Sequence, residues 1–385
     1  MPLDCDVLVV GAGFSGLVIA ERLTTQLGLR CIVIDARDHV GGNAHDEYDR
    51  AGVLVHRHGP HYFRTNSPKV RDYLSQFTAW HPVDYKVLSY TDGRYWSFPI
   101  NLRTFEQLIG RDSTSEEFEA YLAERRVAIE HPTNSEEVIV SQVGWELYEK
   151  FFLGYTLKQW NRHPRELDAS VCGRIPIRTS RDDRYLREDF QALPRDGYHQ
   201  LFARMIAAMP ATRVMLGVRY IEIDRDVTRR WTVYTGRIDE LFDECYGALP
   251  YRSLRFEAES FDAEALRDRQ AIAGTAGFWQ PAMQVNYPGA EPFTRIVEIK
   301  HATGQQCDAT TIVREFPREM SAGAEPYYPV PSADAKRAYQ KYADRAAMVS
   351  RTSFIGRLAT YRYYNMDQVV AMALAEFERL RAELA

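Results

Sequence analysis

A glycine-rich turn lies near the N-terminus, between an apolar run and an amphipathic segment. Gly11, Gly13 and Gly16 form the pattern G-x-G-x-x-G directly after the run DVLVV. Glycines at these positions permit a tight turn and let backbone N–H groups approach a pyrophosphate at the start of the next helix. Asp35 ends the next apolar run, CIVID, where a carboxylate can accept hydrogen bonds from an adenosine ribose. The pattern therefore predicts a dinucleotide site, and Asp35 alone fits either FAD or NAD.

The residues that follow Asp35 distinguish the two dinucleotides. In the segment DARDHVGGN, which begins at Asp35, the acid is followed by Gly41, Gly42 and Asn43. This continuation is typical of flavoproteins of the glutathione-reductase and amine-oxidase kind. This extension favours FAD. The sequence has no second G-x-G-x-x-G, so we expect no separate NAD(P)H domain, and NAD(P)H is considered only as an external reductant.

His56, His58 and His61 lie close together around the turn residues Gly59 and Pro60. Such a group could bind a metal ion, but no carboxylate accompanies it at ligand spacing. Packed or hydrogen-bonded histidines are commoner, so no metal site is predicted.

The elements that position these residues follow from the hydrophobic pattern. DVLVV, LVIAERLTTQL and CIVID read as a strand, a helix and a second strand, which is a βαβ unit. From about residue 72 to 165 the pattern is helical, whereas the segments 213–223, 230–236, 294–302 and 309–316 read as strands, and 332–347 and 368–384 as helices. This predicts an α/β protein, with a FAD-binding Rossmann-like domain, an inserted helical domain and an antiparallel β-sheet domain. The expected boundaries are 1–80, 195–250 and 340–385 for the first, 81–165 for the second, and 166–194 with 251–339 for the third.

Composition excludes several classes of function. The chain has 385 residues and a formal net charge of −5, with a pI near 6.1, so no general positive field is available for nucleic acid or an anionic membrane. The longest uncharged apolar run, Val7 to Ala20, contains glycines and is too short to cross a bilayer. The cysteines lie far apart without a C-x-x-C pair. We therefore expect a cytoplasmic protein with neither a membrane span nor zinc.

Motifs along the whole chain resemble the UDP-galactopyranose mutase family, flavoenzymes that interconvert the pyranose and furanose forms of a nucleotide-linked galactose. Besides the glycine-rich turn and DARDHVGGN, they are HRHGPH (56–61), FPINLRTF (98–105), GYTLKQW (154–160), RIPIR (174–178), YTGRID (234–239), YRSLRFE (251–257), PFTRIVE (292–298), EPYYPV (325–330) and GRLATYRYYNMDQ (356–368). The resemblance implies the same three-domain fold.

The resemblance also implies which residues bind. Those expected to contact FAD are Gly11, Gly13, Phe14, Ser15, Gly16, Asp35, Ala36, Arg37, Gly42, Asn43, His58, Gly59, His61, Val218, Gly356, Arg357, Asn365 and Met366. Those expected to contact a nucleotide-diphosphate sugar are Tyr155, Thr156, Trp160, Arg178, Tyr185, Asn286, Arg295, Tyr327, Tyr328 and Tyr363. The resemblance assigns catalytic roles to Arg178, Arg295 and His61, and we expect a homo-oligomer, most simply a dimer.

The charge of a sugar diphosphate supports the roles expected of Arg178 and Arg295. A sugar diphosphate needs fixed cations, and in the sequence Arg178 and Arg295 each stand among aromatic or hydroxyl residues rather than among compensating acids. In the family, N5 of the reduced flavin attacks C1 of the sugar. The resulting flavin–sugar adduct opens and recloses its ring without net redox change. The resemblance therefore implies an isomerase that converts UDP-galactopyranose to UDP-galactofuranose.

Four residues depart from the family pattern: Arg64 replaces a histidine, Phe190 a tyrosine, Arg237 a proline and Asn365 an aspartate. The stretch 257–279 is also longer than expected. We expect these departures to cluster around the substrate more than around FAD, and they leave the base and the sugar open. The alternatives are the same chemistry on a GDP-sugar, an FAD-dependent oxidase of the amine-oxidase type, and a non-catalytic FAD-binding protein.

Overall fold

The apolar run after the N-terminus forms the centre of a parallel five-stranded sheet. The computed structural model describes residues 3–223, 227–274, 276–321 and 323–384. In spatial order the strands are β11 (Arg213–Leu216), β3 (Cys31–Asp35), β2 (Val7–Val10), β13 (Trp231–Tyr234) and β19 (Thr352–Phe354). All neighbours pair parallel, so the carboxyl ends of these strands meet at one edge, where α/β sheets bind ligands.

Long helices cover one face of this sheet. They are α1 (Phe14–Leu27), α8 (Gly197–Ala207) and α15 (Met366–Leu384). Helix α1 contacts both of the others, and its Leu17 and Leu23 are fully buried beside Phe377 and Leu380. The apolar faces of these helices therefore fix the start of α1 against the sheet edge.

A second, seven-stranded sheet takes two strands from residues 87–98 and five from residues 251–329. Its order is β18 (Tyr328–Pro329), β14 (Tyr251–Phe261), β17 (Thr310–Glu319), β16 (Arg295–Val297), β15 (Gln284–Asn286), β8 (Val87–Thr91) and β9 (Arg94–Phe98). All pairs are antiparallel except β8 with β15.

The hairpin of β8 and β9 was expected inside the helical domain, and it joins the seven-stranded sheet instead. Asp92 and Gly93 both have positive φ, 53° and 73°, as a two-residue hairpin turn requires. The Asp-Gly pair was therefore a strand signal that the helical interpretation overlooked. The other expected domain boundaries remain predictions.

The helical region consists of α3 (Leu102–Ile109), α4 (Ser115–Arg125), α5 (Ser135–Tyr148), a π-helical turn (Glu149–Leu153), α6 (Gly154–Trp160) and α7 (Ser170–Gly173). Helix α5 is broken at Gly144, which has a φ of 75°, and a Cβ there would lie 2.4 Å from the Arg125 carbonyl oxygen. Two helices thus meet at a close backbone approach that only glycine permits.

The remaining elements complete the described part of the fold. They are β1 (Leu3–Asp4) with β12 (Val227–Thr228), β4 (Asp46–Tyr48) with β5 (Leu54–His56), the sheet of β6 (Phe63–Thr65), β10 (Phe190–Pro194) and β7 (Trp80–Pro82), the helices α2 (Pro68–Leu74), α9 (Tyr220–Ile223), α10 (Ile238–Leu241), α11 (Ala263–Arg267), α12 (Gln270–Ala273), α13 (Lys300–Thr303) and α14 (Ala333–Ala346), and 3-10 turns at Gly42–Ala44 and Pro164–Glu166. Within the described ranges, no helix is both long and apolar enough to cross a bilayer.

Two predicted strands end early and continue as helices, α9 and α13. The first ends because Gly217 has a φ of 68° and turns the chain back, so that its N–H donates to the Arg37 carbonyl and the next N–H donates to the Asp35 carbonyl. The second ends just before the helix Lys300–Thr303. β-branched composition alone does not reveal such turns.

Candidate functional site

The glycine-rich turn has a separate steric reason for each glycine. Gly11 has a φ of 106°, and a Cβ there would lie 2.0 Å from Thr235 Oγ1. A Cβ on Gly16 would lie 1.8 Å from the Gly11 carbonyl oxygen, so Gly16 allows α1 to pack closely on the turn. Among the described residues beyond its chain neighbours, the nearest atom to a Cβ on Gly13 would be the Cα of Gly42, at 3.7 Å. The space at Gly13 is therefore open on the side where a pyrophosphate would bind.

A cavity of about 1960 Å³ opens at this edge of the parallel sheet. The predicted FAD residues that line it are Gly11, Gly13, Phe14, Ser15, Asp35, Ala36, Arg37, Gly42, Asn43, His61, Val218, Gly356, Arg357 and Met366. The Asp35 carboxylate accepts hydrogen bonds from the N–H groups of Ala12 (2.7 Å) and Arg37 (2.9 Å). These bonds hold the carboxylate at the rim of the cavity, as ribose recognition requires, so the residues present fit FAD.

The other predicted FAD residues lie behind or beside this cavity. Gly16 is buried under the turn, and Asn365 lines a second cavity. His58 is hydrogen bonded through Nδ1 to the Tyr327 hydroxyl at 2.9 Å and through Nε2 to His39 at 3.0 Å. A Cβ on Gly59 would lie 3.0 Å from the ring of Phe256. His58 and Gly59 therefore contact other side chains and do not line the cavity, contrary to expectation.

His61 lies between the cavity and the charged residues described below. Burial lowers the pKa of His61 to about 3, with the charges of Arg357 and Arg295 acting in the same direction. Its Nδ1 donates to the Gly59 carbonyl at 2.9 Å, which leaves Nε2 as the acceptor of a neutral ring.

The second cavity, of about 730 Å³, lies on the other side of the start of α15. Met366 lines the first cavity, whereas Asn365, one residue earlier, lines the second. Two predicted substrate residues, Tyr185 and Tyr363, also line the second cavity, together with Arg174. The backbone at Asn365 and Met366 therefore separates the two cavities. We call the first the cofactor cavity and the second the candidate substrate cavity.

Tyrosines and arginines from distant segments meet between these cavities. We call the group the tyrosine–arginine cluster; its members are Tyr155, Tyr185, Tyr328, Tyr363, Arg174, Arg295 and Arg357. The rings of Tyr328 and Tyr363 are 6.0 Å apart, and the guanidinium carbons of Arg357 and Arg174 lie 5.2 and 5.4 Å from the centroid of the Tyr363 ring. Phenol and guanidinium donors grouped in this way are suited to an anion with several oxygens.

Tyr363 shows the electrostatic character of the cluster. Burial alone would raise its pKa, but the charges of Arg174, Arg357 and Arg64 outweigh that effect and lower the pKa to about 8. The residue is nevertheless 42% exposed. An anion that enters the second cavity can therefore reach the same positive field that stabilises the phenolate.

Arg295 has a compensating acid, contrary to expectation. Its Nε and Nη2 donate to Glu315 Oε2 at 2.9 and 2.7 Å, and its Nη1 donates to Gln284 Oε1 at 3.3 Å. Arg295 on β16 lies directly opposite Glu315 on β17 in the antiparallel register. The two residues are therefore brought together by strand pairing and not by proximity in the sequence. Glu315 is 1% exposed, and its Oε1 has no hydrogen-bond partner in the described part of the chain.

Arg178 is also paired, and it lines neither cavity. Its Nη1 donates to the Arg184 carbonyl at 2.5 Å, and its Nε lies 3.4 Å from Asp182 Oδ2. The loop that follows Arg178 folds back on its guanidinium, which the spacing of residues did not reveal. The arginine of RIPIR that points among aromatic rings is Arg174, whose Nη1 lies 3.4 Å from the Tyr363 hydroxyl.

Comparison with known proteins decides the family. Residues 150–363 match the UDP-galactopyranose mutase family, and residues 9–77 match the NAD(P)-binding Rossmann-like domain. The chain is 33% identical over 384 residues to the probable UDP-galactopyranose mutase of Klebsiella pneumoniae, covering 99% of this chain and 96% of that protein. It is also 33% identical over 377 residues to the dTDP-fucopyranose mutase of Escherichia coli, covering 96% of each. A crystal structure of reduced UDP-galactopyranose mutase matches with a TM-score of 0.75 at 17% identity, covering 99% of this chain and 94% of that one.

The chain belongs to the UDP-galactopyranose mutase family.

Membership confirms the resemblance deduced from the motifs, the α/β fold with its Rossmann-like domain and the assignment as an isomerase. The Rossmann-like domain and the relationship to this family of mutases imply FAD as the cofactor. Arg37 is held at the first cavity by hydrogen bonds to Asn43 Oδ1 at 2.9 Å and Glu325 Oε2 at 2.6 Å.

The remaining predicted substrate residues of this mutase differ in whether they line a cavity or are buried. The ring of Trp160 is 6.0 Å from that of Tyr328, and Trp160 lines the first cavity. Thr156 is buried, with its hydroxyl 3.7 Å from the Cys172 sulfur. Asn286 is buried and accepts a hydrogen bond from Gln284 Nε2 at 2.8 Å. Tyr327, bonded to His58, is buried as well.

Two of the departures from the family pattern meet at the second cavity, the candidate substrate cavity. Arg64 donates through Nη2 to Asn365 Oδ1 at 2.9 Å and through Nε to Glu188 Oε1 at 2.9 Å. All three residues line the second cavity. An arginine paired with an amide thus replaces the histidine and the aspartate that the family pattern carries, and it changes the charge of that wall.

The other two departures lie elsewhere, so the four do not share one cavity, and their expected clustering around the substrate more than around FAD stays a prediction. Arg237 lines the cofactor cavity, paired with Asp239 at 2.6 Å and 5.3 Å from the ring centroid of Tyr251. Phe190 packs among aromatic rings, 5.4 Å from Trp80.

Replacing Gly13 by alanine is expected to weaken FAD binding at least about tenfold, because the added methyl group occupies the approach to the pyrophosphate. Apart from Gly13 and its chain neighbours, no atom of the residues that the structure describes lies within 3.4 Å of that methyl position, and φ is −84°, so the apoprotein should melt at the wild-type temperature. Flavin absorbance after reconstitution measures occupancy. Wild-type FAD affinity in Gly13→Ala would contradict this placement of the cofactor.

Proposed function

We propose that the protein interconverts the pyranose and furanose forms of a nucleotide-diphosphate sugar, with UDP-galactopyranose as the first candidate. Family membership supports the class of reaction. The observation that carries the site is the tyrosine–arginine cluster, because it places anion donors directly beside the cavity that fits FAD.

The proposed reaction requires the bond between C1 and the diphosphate to break, the sugar ring to open, and closure through O4 in place of O5. When bound and reduced, FAD supplies the nucleophile for C1, so no net oxidation occurs. Arg295, Arg174 and Arg357 neutralise the diphosphate while it is detached and retain it for return to C1. Arg178 joins them only if its loop rearranges.

The tyrosines and His61 have the remaining roles. Tyr328 and Tyr363 donate phenol hydrogen bonds to diphosphate oxygens, and Tyr155 and Trp160 pack against the base. Neutral His61 keeps an acceptor nitrogen between the cofactor cavity and Arg295. The surrounding side chains limit the access of water to C1, which protects the detached sugar from hydrolysis.

A second candidate substrate is a dTDP-linked 6-deoxy sugar. The chain is as similar to the dTDP-fucopyranose mutase as to the probable UDP-galactopyranose mutase, at 33% identity in both cases. The pair of Arg64 and Asn365 also alters the wall of the substrate cavity. A GDP-sugar remains the third alternative for the base.

The test is a panel of UDP-, dTDP- and GDP-linked sugars incubated anaerobically with the FAD-loaded enzyme and resolved by chromatography. We expect conversion only after reduction by dithionite, with many turnovers for each reducing equivalent, because the reaction is an isomerisation. Equal conversion by the oxidised enzyme would overturn the role of reduced FAD. Oxygen consumption with an amine and no conversion of any sugar would favour the oxidase.

A further inference from the structure

Lys158, near the end of α6, bonds to a segment far away in the sequence. Its Nζ donates to the Tyr287 carbonyl, to the Glu291 carbonyl at 3.0 Å and to the Phe293 carbonyl at 3.1 Å. A lysine ammonium has three N–H donors, and here all three have backbone acceptors. These carbonyls belong to the loop 287–294, which joins β15 to β16. Lys158 therefore holds this loop from the helix side.

A second contact on the same helix face confirms that α6 lies against the loop. A Cβ on Gly154 would lie 2.1 Å from the Pro288 carbonyl oxygen. Gly154 and Lys158 are four residues apart, so they share one face of α6. Gly154 allows the helix to approach the loop, and Lys158 bonds it there.

The two segments joined in this way carry the two halves of the proposed nucleotide site. Helix α6 provides Tyr155 and Trp160, whereas the hairpin provides Asn286 and Arg295, which are paired in register. Burial raises the pKa of Tyr155, and the charge of Arg295 opposes that rise, so the halves are in electrostatic contact. Their separation depends on the bonds between α6 and the loop.

We propose that Lys158 is a positioning residue that clamps α6 to the hairpin loop and so fixes the spacing of the nucleotide site. This inference rests on the proposed function and deepens it. Burial lowers the pKa of Lys158 to about 8, with the charge of Glu291 opposing the shift. A surface lysine keeps its ammonium in water. The ammonium of Lys158 instead bonds to the loop, which fixes the loop against α6.

Loss of the ammonium leaves three carbonyls without their donor and releases the loop from the helix. Nucleotide binding would then have to bring the two halves together, and this ordering reduces affinity. Arg295 is held separately by its bonds to Glu315, so the rate at saturation should change little. A positioning role therefore predicts a large effect on KM and a small effect on kcat.

The experiment measures UDP binding by calorimetry and steady-state kinetics on the FAD-loaded, reduced enzyme. Lys158→Met removes the donors and keeps the side-chain length, and Gly154→Ala separates the same interface sterically. Lys150→Met is the matched control, because Lys150 lies in the preceding helical turn and pairs with Asp92 instead. We expect UDP to bind about tenfold more weakly to the first two variants, with kcat within about threefold of wild type, normal flavin content and an unchanged control.

UDP affinity within threefold of wild type in both variants would overturn the clamp, as would an equal fall in kcat without a change in KM. If Lys158→Met does not fold, Gly154→Ala decides alone, because its helical backbone accepts alanine. If the wild-type enzyme binds UDP but converts no sugar, the proposed function fails while the clamp is still judged by binding. If it binds no nucleotide, both fail.

Discussion

Arg295→Met is expected to lower kcat/KM by about 10²- to 10³-fold, because a preorganised charge beside a developing anion typically contributes about 3 to 4 kcal/mol to transition-state stabilisation. Arg295 is fixed by two bonds to Glu315, so it meets the diphosphate without reorganising. Flavin content should remain normal. Steady-state kinetics with the best substrate of the panel measures the loss, and less than a tenfold decrease would show that the diphosphate is held elsewhere.

The variant also disturbs stability, and this effect must be separated from catalysis. Arg295→Met leaves the buried Glu315 carboxylate unpaired, which is strongly destabilising. The double variant Arg295→Met with Glu315→Gln removes that charge, so its melting temperature should recover while its activity should not. Recovery of both would mean that Arg295 acts only through folding.

Arg178→Met provides a comparison for the same reaction. Arg178 bonds to its own loop through the Arg184 carbonyl and Asp182. A loss as large as that of Arg295→Met would show that this loop rearranges when the diphosphate binds. A small loss would assign the second diphosphate charge to Arg174, which already faces Tyr363.

The cofactor half of the molecule was predictable because its signals are local. The turn from Gly11 to Gly16 follows a buried strand and opens a helix, and Asp35 ends the adjacent strand. Steric demands that act over a few residues leave a short pattern in the sequence. The predicted residues around this turn therefore converge on one cavity.

The substrate half was less predictable because its contacts depend on sheet register and loop paths. Glu315 pairs with Arg295 only because β16 and β17 pair in one register. Arg174 and Arg178 have similar sequence surroundings, yet only Arg174 reaches the second cavity. Arg64 and Asn365 contact each other across 301 positions. Pairwise spacing in one sequence does not determine such contacts.

Tyr363 should make UDP binding depend on pH, with the dissociation constant rising by up to about tenfold per unit above pH 8. Below that pH the phenol is neutral and its O–H can donate to the diphosphate. Above it, a phenolate occupies the field of Arg174, Arg357 and Arg64, and a bound diphosphate must displace that charge. Tyr363→Phe cannot ionise and should lose this dependence, while binding within a few-fold of wild type near pH 7.

Folding stability should change in the opposite direction, which distinguishes this effect from alkaline unfolding. The pKa of Tyr363 is about 8 in the folded chain and about 10 in an unfolded one, so its contribution to stability is fully present above pH 10 and is lost as the pH falls through 8. Between pH 8 and 10, the melting temperature of the wild-type protein should therefore rise relative to Tyr363→Phe while UDP affinity falls. Burial also lowers the pKa of Lys158 to about 8, so the pH dependence of UDP affinity is measured in Lys158→Met as well. If Lys158→Met and the double variant Lys158→Met with Tyr363→Phe showed the same pH dependence, Tyr363 would be excluded as the titrating group.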